Sequence, residues 1–388
     1  MGGAGAGAEI DSYCDHCVSG AVSGPIAGML LIAFATSLGW GLRGEWGHWW
    51  GATVPGAFCG MSIWLAFGAV HSGWQSLVFG ATLAVSLSLG GVLSYGKIVG
   101  YVKSEHDRSP LFGLFGLFLV GGLWGSFGGT GLGLLMTDAT YQISDLATWA
   151  VAASLGAFLA YKLLVVGLDL HLSPPRSDAW AAVLGGCLAT IAYFALGPRD
   201  LIVLRTSALG WLGFGGGFAL GACIHRLCTA AGWKIDSWKF MEHSVGFWGG
   251  LGLGASAWLM GQDLSGVQAP SSGLVASAVV VLWWVPYMNI SDNFQYWFME
   301  THWIGRRTFV LFQTLALASL PAFALLAGNL ATGWTGSSRH SWPFLWMISL
   351  MTFLGISKYR FERSRQRLIV DATFLGEAAA CVLLLLLI

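Results

Sequence analysis

Apolar stretches of about 20 residues recur along this chain from residue 22 to its end. A helix of that length crosses the hydrocarbon core of a bilayer, which is about 30 Å thick. Only 10% of the residues are charged, whereas soluble domains average about 25%. The alternating polar faces that a large soluble helical protein needs are missing. The sequence therefore predicts an all-α, polytopic integral membrane protein whose immediate partner is the lipid bilayer.

Hydropathy divides the chain into a short tail, residues 1–21, and one transmembrane domain, residues 22–388. Twelve membrane spans are predicted in that domain. Their limits are 22–41, 49–71, 73–96, 111–136, 146–168, 178–197, 205–226, 238–261, 272–290, 307–328, 341–356 and 367–388.

The distribution of Lys and Arg gives an orientation, because these residues concentrate in cytoplasmic loops. With twelve spans and both termini outside, sixteen of the 19 basic residues fall on the inner side. The three that fall outside are Arg199, Arg205 and Arg339. This asymmetry favours the twelve-span topology and a location in a plasma or inner membrane.

Two glycine- and tryptophan-rich segments align without gaps, "GLWGSFGGTGLGLLM" at 122–136 and "GFWGGLGLGASAWLM" at 246–260. Their spacing suggests three parallel units of four spans, although shared composition alone is the alternative interpretation. Within each segment glycines recur every four residues. Small residues at that spacing line one helix face and let backbones approach closely, so we expect the fourth and eighth spans to be tightly packed.

The N-terminal tail contains Cys14, His16 and Cys17. A Cys-x-x-Cys pair with a nearby His has ligands suited to a metal, but a second pair with metal spacing is absent. The tail has neither the basic start nor the cleavage site of an ordinary secretory signal peptide. An idle or oxidised cysteine pair is the favoured interpretation.

Ionisable side chains inside or beside apolar spans are costly and therefore mark candidate functional sites. In the predicted topology they all lie in the inner half of the membrane or at its inner surface. Glu377 is the deepest, about ten residues into a span, and Glu242 and His243 lie about one turn into theirs. The candidates for substrate binding or coupling are Arg43, Glu45, His48, Glu242, His243, Asp292, Glu300, His302 and Glu377.

The stretch "LGWGLRGEWGHWWGATVPG", residues 38–56, holds three of these candidates between two apolar runs. A helix through it places Gly41, Gly44 and His48 on one face, with Glu45 at the side. Arg43 then lies about 160° from Glu45, so its partner must be a lipid phosphate or another span's carboxylate. We interpret the stretch as an inward-facing hairpin that presents a glycine face to a neighbouring helix or cavity.

Glu and His recur together three times, but only Glu45-x-x-His48 has the i, i+3 spacing found in carboxylate-bridged di-metal bundles. Four convincing ligands are lacking, so metal and cofactor remain unknown. The sequence contains no zinc-protease motif, no phosphate-binding loop and no nucleophile elbow. Nucleic-acid binding is not expected either, since the basic run at 358–367 follows from topology.

Aromatic residues make up 14% of the chain. Many belong to interfacial belts, yet flat rings beside Asp, Asn and Glu also suit sugars, ring-bearing solutes or organic cations. The longest polar-aromatic stretch, 283–307, is predicted to be an amphipathic segment or a cavity lining between spans, and Pro286 is expected to break or kink a helix there.

These features favour a transporter or channel for a small polar or ring-containing solute, with intramembrane Glu and His groups relaying protons. One alternative is an intramembrane enzyme with an inward-facing Glu/His site, metal-assisted or using acid–base catalysis. The other is a packing subunit of a homo-oligomer or larger membrane complex.

Overall fold

The computed structural model describes residues 12–47, 50–68, 73–175, 178–260, 264, 271–332, 341–362 and 364–388, with the side chains of 12–23 and 327–332 left aside. This part of the chain is all helical and contains no strand, which confirms the all-α prediction. Its helices are α1 Ser12–Trp46, α2 Thr53–Phe67, α3 Gly73–Ser88, α4 Gly96–Val102, α5 Pro110–Met136, α6 Ile143–Ala160, α7 Ala179–Leu196, α8 Leu201–Ala230, α9 Ser237–Met260, α10 Ser272–Met299, α11 Arg306–Leu317, α12 Leu320–Thr332, α13 Trp342–Lys358 and α14 Arg365–Leu385.

Eight helices in the described ranges are long and apolar enough to cross a membrane, which supports a multi-pass membrane protein. A ninth span results if α11 and α12, bent by 41° at their junction, are counted together. Each of the twelve predicted segments overlaps a helix or helix pair, but the count of twelve is not confirmed. Helices α2 and α13 have only 15 and 17 residues, and α9 begins with several polar and charged side chains.

Helices α5 and α9 both pack against α8, run antiparallel to it and also contact each other. A Cβ added at Gly125 or Gly129 of α5 would overlap the backbone carbonyl of Gly210 or Thr206 of α8. Toward α9, Gly213 of α8 meets the backbone of Trp248 and Gly252. We call these contacts the glycine seam. They bear out the close packing that glycine spacing predicts for the fourth predicted span. The spaced glycines of the eighth span, Gly246 and Gly250, also pack closely, but against the backbone of α1 at Thr36 and Ile32.

The two aligned segments are the C-terminal halves of α5 and α9, which end at Met136 and Met260. The two segments therefore run parallel to each other, and both pack against α8. This arrangement involves one pair of helices only, and the three-unit repeat is not confirmed.

The stretch at the end of the first predicted span, residues 38–56, differs from the predicted hairpin. Helix α1 continues to Trp46, so Arg43 and Glu45 lie in its last turns rather than in a connection. The chain leaves the helix at Gly47, whose φ of +84° is a left-handed conformation that favours glycine. The longer helix carries both charged side chains to the surfaces of neighbouring helices.

The polar-aromatic stretch at 283–307 also differs from its prediction. Helix α10 continues through Pro286 to Met299, so most of this stretch is helical rather than a connection between spans. Helix α10 is thereby extended to 28 residues, and its inner half packs against α11 and α13. Asn293 of α10 accepts a hydrogen bond from the indole of Trp46 at 2.9 Å and donates one to the carbonyl of Leu354 at 2.8 Å.

Candidate functional site

Three helices meet where α1 ends. Helix α1 runs antiparallel to both α9 and α14, so its last turns lie beside their first turns. Ser37, Gly41, Gly44 and Glu45 of α1 have helical spacing that places them on one face. That face carries no large apolar side chain, and polar side chains of α9 and α14 fill the space.

Two glycines of α1 provide this space directly. A Cβ at Gly41 would overlap the imidazole ring of His243, and a Cβ at Gly44 would overlap the carboxylate of Glu242. The glycine face predicted from the sequence therefore exists, and α9 is the neighbour that it contacts. It admits polar side chains into a helix interface that a larger residue would close.

Glu45 links all three helices. Its side chain is 4% exposed, and its two carboxylate oxygens each contact a base. Lys239 of α9 lies 3.0 Å from Oε1, and Arg367 of α14 lies 3.0 Å from Oε2. The Arg367 guanidinium also contacts Asp371 at 2.7 Å, one turn along α14.

Arg43 and Glu242 form a second buried pair. The closest Arg43 nitrogen lies 3.5 Å from Glu242 Oε1 and donates to the Tyr95 hydroxyl at 2.9 Å. The guanidinium also lies 5.1–5.5 Å from the ring centroids of Trp40, Tyr95 and Trp124, within the range of cation–π attraction. The partner of Arg43 is thus another helix's carboxylate, one of the two predicted possibilities, and Lys239 bridges Glu242 to Glu45.

A third pair extends the network toward the inner surface. Lys358 of α13 contacts the carboxylate of Asp292 of α10 and donates to the backbone carbonyl of Glu45. Lys358 is buried, whereas the Asp292 side chain is 41% exposed. The whole network has four acids and four bases, so each buried charge has an opposite charge nearby that offsets part of its desolvation cost. We call it the charged seam, and its members are Arg43, Lys239, Glu45, Glu242, Asp292, Lys358, Arg367 and Asp371.

A separate cluster lies farther from the C-terminal end of α1 and contains no Lys or Arg among the described residues. His243 Nδ1 lies 2.8 Å from Glu377 Oε2, and Ser37 donates to Glu377 Oε1 at 2.6 Å. Glu377 is ten residues beyond Arg367 on α14, about 15 Å along the axis, or half the thickness of the hydrocarbon core. We call Glu377 and His243 the deep pair.

The deep pair differs from a catalytic triad. In a triad, the acid and the hydroxyl bond opposite nitrogens of the imidazole, but Ser37 and Glu377 both lie on the Nδ1 side. The other nitrogen, Nε2, is buried and accepts no hydrogen bond from the described residues. It faces the backbone of α1 at Gly41, so the geometry gives no support to a hydroxyl nucleophile.

Nothing in the described ranges supports the metal-assisted alternative. No group of three or more His, Cys, Asp or Glu side chains there is placed to hold a metal ion. Glu45 and Glu242 are both engaged by bases, which neutralise the charge that would attract a cation. The side chains of Cys14, His16 and Cys17 lie outside the described residues.

Most of the predicted site residues are brought together, and two are not. Arg43, Glu45, Glu242 and Asp292 belong to the charged seam, and His243 and Glu377 form the deep pair. Glu300 and His302 are exposed and join neither group. His48 lies outside the described residues.

Sequence reasoning missed the bases that hold the site together. Lys239, Lys358 and Arg367 were attributed to topology alone, because basic residues at span ends usually are. A signal was present: Lys239 lies three residues before Glu242, and Arg367 lies four before Asp371, spacings that place opposite charges side by side on a helix.

The chain matches no protein family model, no curated protein and no solved structure. Functional conclusions therefore depend on the geometry of the charged seam and the deep pair.

Proposed function

We propose that this protein is a membrane transporter for a small polar or ring-containing solute, driven by proton movement through Glu377 and His243. The observation that carries the proposal is the deep pair itself, an acid and a histidine 2.8 Å apart in the interface between α9 and α14. Ionisable residues inside membrane-spanning helices form the proton relays of pumps and transporters. Carboxyl and imidazole groups are the side chains that such relays use to carry protons.

The charged seam serves as the inner gate in this proposal. It fastens α1 to α9, α10, α13 and α14 on the inner side of the deep pair. Its charges balance, so the helices separate only if water or solute replaces their partners. Because α1 contacts both groups, a change in protonation at Glu377 is passed to Glu45 through the same helix.

The chemistry of the gate supports the proposed solute class. A path opened between α1 and α9 would have Glu45 at one edge and Arg43, with the rings of Trp40 and Tyr95, at the other. Charged groups bind polar solutes, and flat rings bind solutes that contain rings. Both belong to the class proposed here.

The finer topology belongs to the same proposal. Twelve spans with both termini outside would place the charged seam on the cytoplasmic side of a plasma or inner membrane. Three parallel four-helix units and assembly into a homo-oligomer or larger complex are compatible with it. Cysteine-accessibility labelling at exposed Leu196 and exposed Lys234 tests the orientation, because the proposal places Leu196 outside and Lys234 inside.

Electrophysiology on a solid-supported membrane tests the transport proposal. Proteoliposomes are challenged with a panel of sugars, aromatic amino acids and organic cations at two pH values. At least one compound should evoke a proton current, which Glu377→Gln should reduce about tenfold or more and Glu362→Gln should leave intact. Glu362 is exposed and lies outside both groups.

Two results would overturn the proposal. One is the absence of current from wild-type protein with every compound in the panel. The other is a Glu377→Gln variant that retains the wild-type current and its pH dependence.

A further inference from the structure

An elongated apolar cavity of about 490 Å³ lies between α10, the bent α11–α12 pair and α13. The size is typical of cavities that hold small ligands. Along α10 it extends from Trp283 to Phe294, eleven residues or about 16 Å. That length matches one leaflet of a bilayer whose core is about 30 Å thick.

Two polar side chains in the cavity, those of Trp283 and Ser319, are hydrogen-bonded to protein groups. The Trp283 indole donates to the Ser319 hydroxyl at 3.0 Å, and Ser319 donates to the carbonyl of Ala316 at 2.6 Å. The remaining walls are mainly aromatic and aliphatic. Leu315 and Leu326 line the cavity and are also exposed on the surface of the molecule, so its occupant can enter from the lipid.

The inner end of the cavity leads to a basic surface. Phe294 contacts Trp297, Trp297 contacts Trp303, and the Arg360 guanidinium lies 4.2 Å from the centre of Trp303. Arg306 begins α11 six residues before the cavity wall at Phe312, a rise of about 9 Å. The aromatic rings therefore connect the apolar cavity to arginine side chains at the inner interface.

These arginines differ from the bases of the charged seam. Arg306, Arg307 and Arg360 are exposed, and none forms an ion pair with an acid in the part of the chain that the structure describes. Glu300, only six residues before Arg306, is exposed and unpaired with them. Three unneutralised cations beside an interfacial tryptophan are complementary to an anionic headgroup.

We propose that this groove is a binding site for an anionic phospholipid of the inner leaflet. One acyl chain lies in the cavity between α10 and α13, and the phosphate contacts Arg306, Arg307 and Arg360. The site is independent of the transport proposal, because it includes no member of the charged seam or of the deep pair. The bound lipid holds α11–α12 against α13 and thereby stabilises the wall of the domain beside the gate.

Native mass spectrometry tests the site with purified full-length protein and added phosphatidylglycerol or phosphatidylcholine. Wild-type protein should retain one phosphatidylglycerol at concentrations where phosphatidylcholine is lost. Replacing Arg306, Arg307 and Arg360 by Ala should weaken phosphatidylglycerol binding by about fivefold per arginine. Arg108→Ala is the matched control, since Arg108 is also exposed, predicted to be inward and stacked on a ring, that of Phe112.

Two further experiments distinguish binding of the acyl chain from binding of the headgroup. Ala316→Phe fills the cavity and should weaken binding while all three arginines remain. Soluble glycerol phosphate should not displace the lipid, because it lacks the acyl chain. Equal retention of both lipids by wild-type protein would overturn the proposal, and so would unchanged selectivity in the triple variant or unchanged binding in Ala316→Phe.

Discussion

The glycine seam and the charged seam both depend on glycines in helix interfaces, but the glycines do different things. At Gly125 and Gly129 the space is taken by backbone carbonyls of α8. At Gly41 and Gly44 it is taken by the side chains of His243 and Glu242. One seam joins backbone to backbone, and the other makes room for ionisable groups.

This difference determines how each interface responds to water and protons. Backbone contact between close-packed helices depends on dispersion and has no alternative partner in the membrane. Ion pairs exchange partners when water or a proton arrives. We therefore expect α5, α8 and α9 to move as one body, while α14 and the end of α1 change their contacts with α9.

The largest effect is expected from Glu45→Gln. It leaves Lys239 and Arg367 buried with reduced compensation, and loss of one partner of a buried pair costs about 3–5 kcal/mol. In mixed detergent micelles, the free energy of unfolding should fall by an amount in that range. Glu300→Gln is the control, because a change at an exposed residue outside the network should remain within about 0.5 kcal/mol. Similar stability of the two variants would mean that the charged seam does not hold the helices.

The next effect is expected in the glycine seam. Gly125→Ala places a Cβ on the carbonyl of Gly210, and only a shift of the whole helix can relieve the overlap. Overpacking of this kind lowers the free energy of unfolding by about 1–3 kcal/mol. Transport should fall only as far as the amount of folded protein falls. Gly216→Ala, on α8 where a Cβ meets no neighbour, should be close to neutral in the same unfolding assay. If both variants behave alike, the backbone contact is not tight.

A smaller loss of stability is expected from Gly41→Ala, because the ring of His243 can rotate away. About 1 kcal/mol should be lost, yet solute-evoked proton current should fall as far as in Glu377→Gln. Gly125→Ala should behave in the opposite way. It should lose more free energy of unfolding than Gly41→Ala, and its proton current per folded molecule should fall less. Equal current per folded molecule in the two variants would remove the functional distinction between the seams.

The smallest effect is expected outside both seams, at His171 between α6 and α7. Asp178 and Asp169 bond its two ring nitrogens at 2.6 and 2.9 Å and raise the pKa of His171 above its ordinary value. The stability that protonated His171 gives to the loop between α6 and α7 should be complete below about pH 6.5. It should be lost as the pH rises through the raised pKa of His171. Hydrogen exchange of the Leu172 amide, corrected for its intrinsic rate, should show this loss in wild-type protein. The same pH dependence in His171→Gln would contradict the assignment.

The sequence predicted the fold more completely than it predicted the site. The apolar runs overlap every helix of twelve residues or more but not the body of α4, and glycine spacing predicted the packing of α5 and α9. The partner of Glu45 was not predictable, because Arg367 lies 322 positions away and only tertiary packing brings it to 3.0 Å. Glu300 and His302 were selected by composition, which does not distinguish a buried pair from an exposed turn.

Distance measurement between spin labels tests the central claim, that the charged seam opens while the glycine seam stays closed. In protein lacking its own cysteines, one label pair is placed at exposed Lys234 and Gln366, beside α9 and α14. The control pair is placed at exposed Leu111 and Leu227, on α5 and α8. The account predicts a second, longer distance for the first pair when pH changes or Glu377 is replaced by Gln, with one unchanged distance for the control pair. A single unchanged distance for both pairs under all conditions would contradict it.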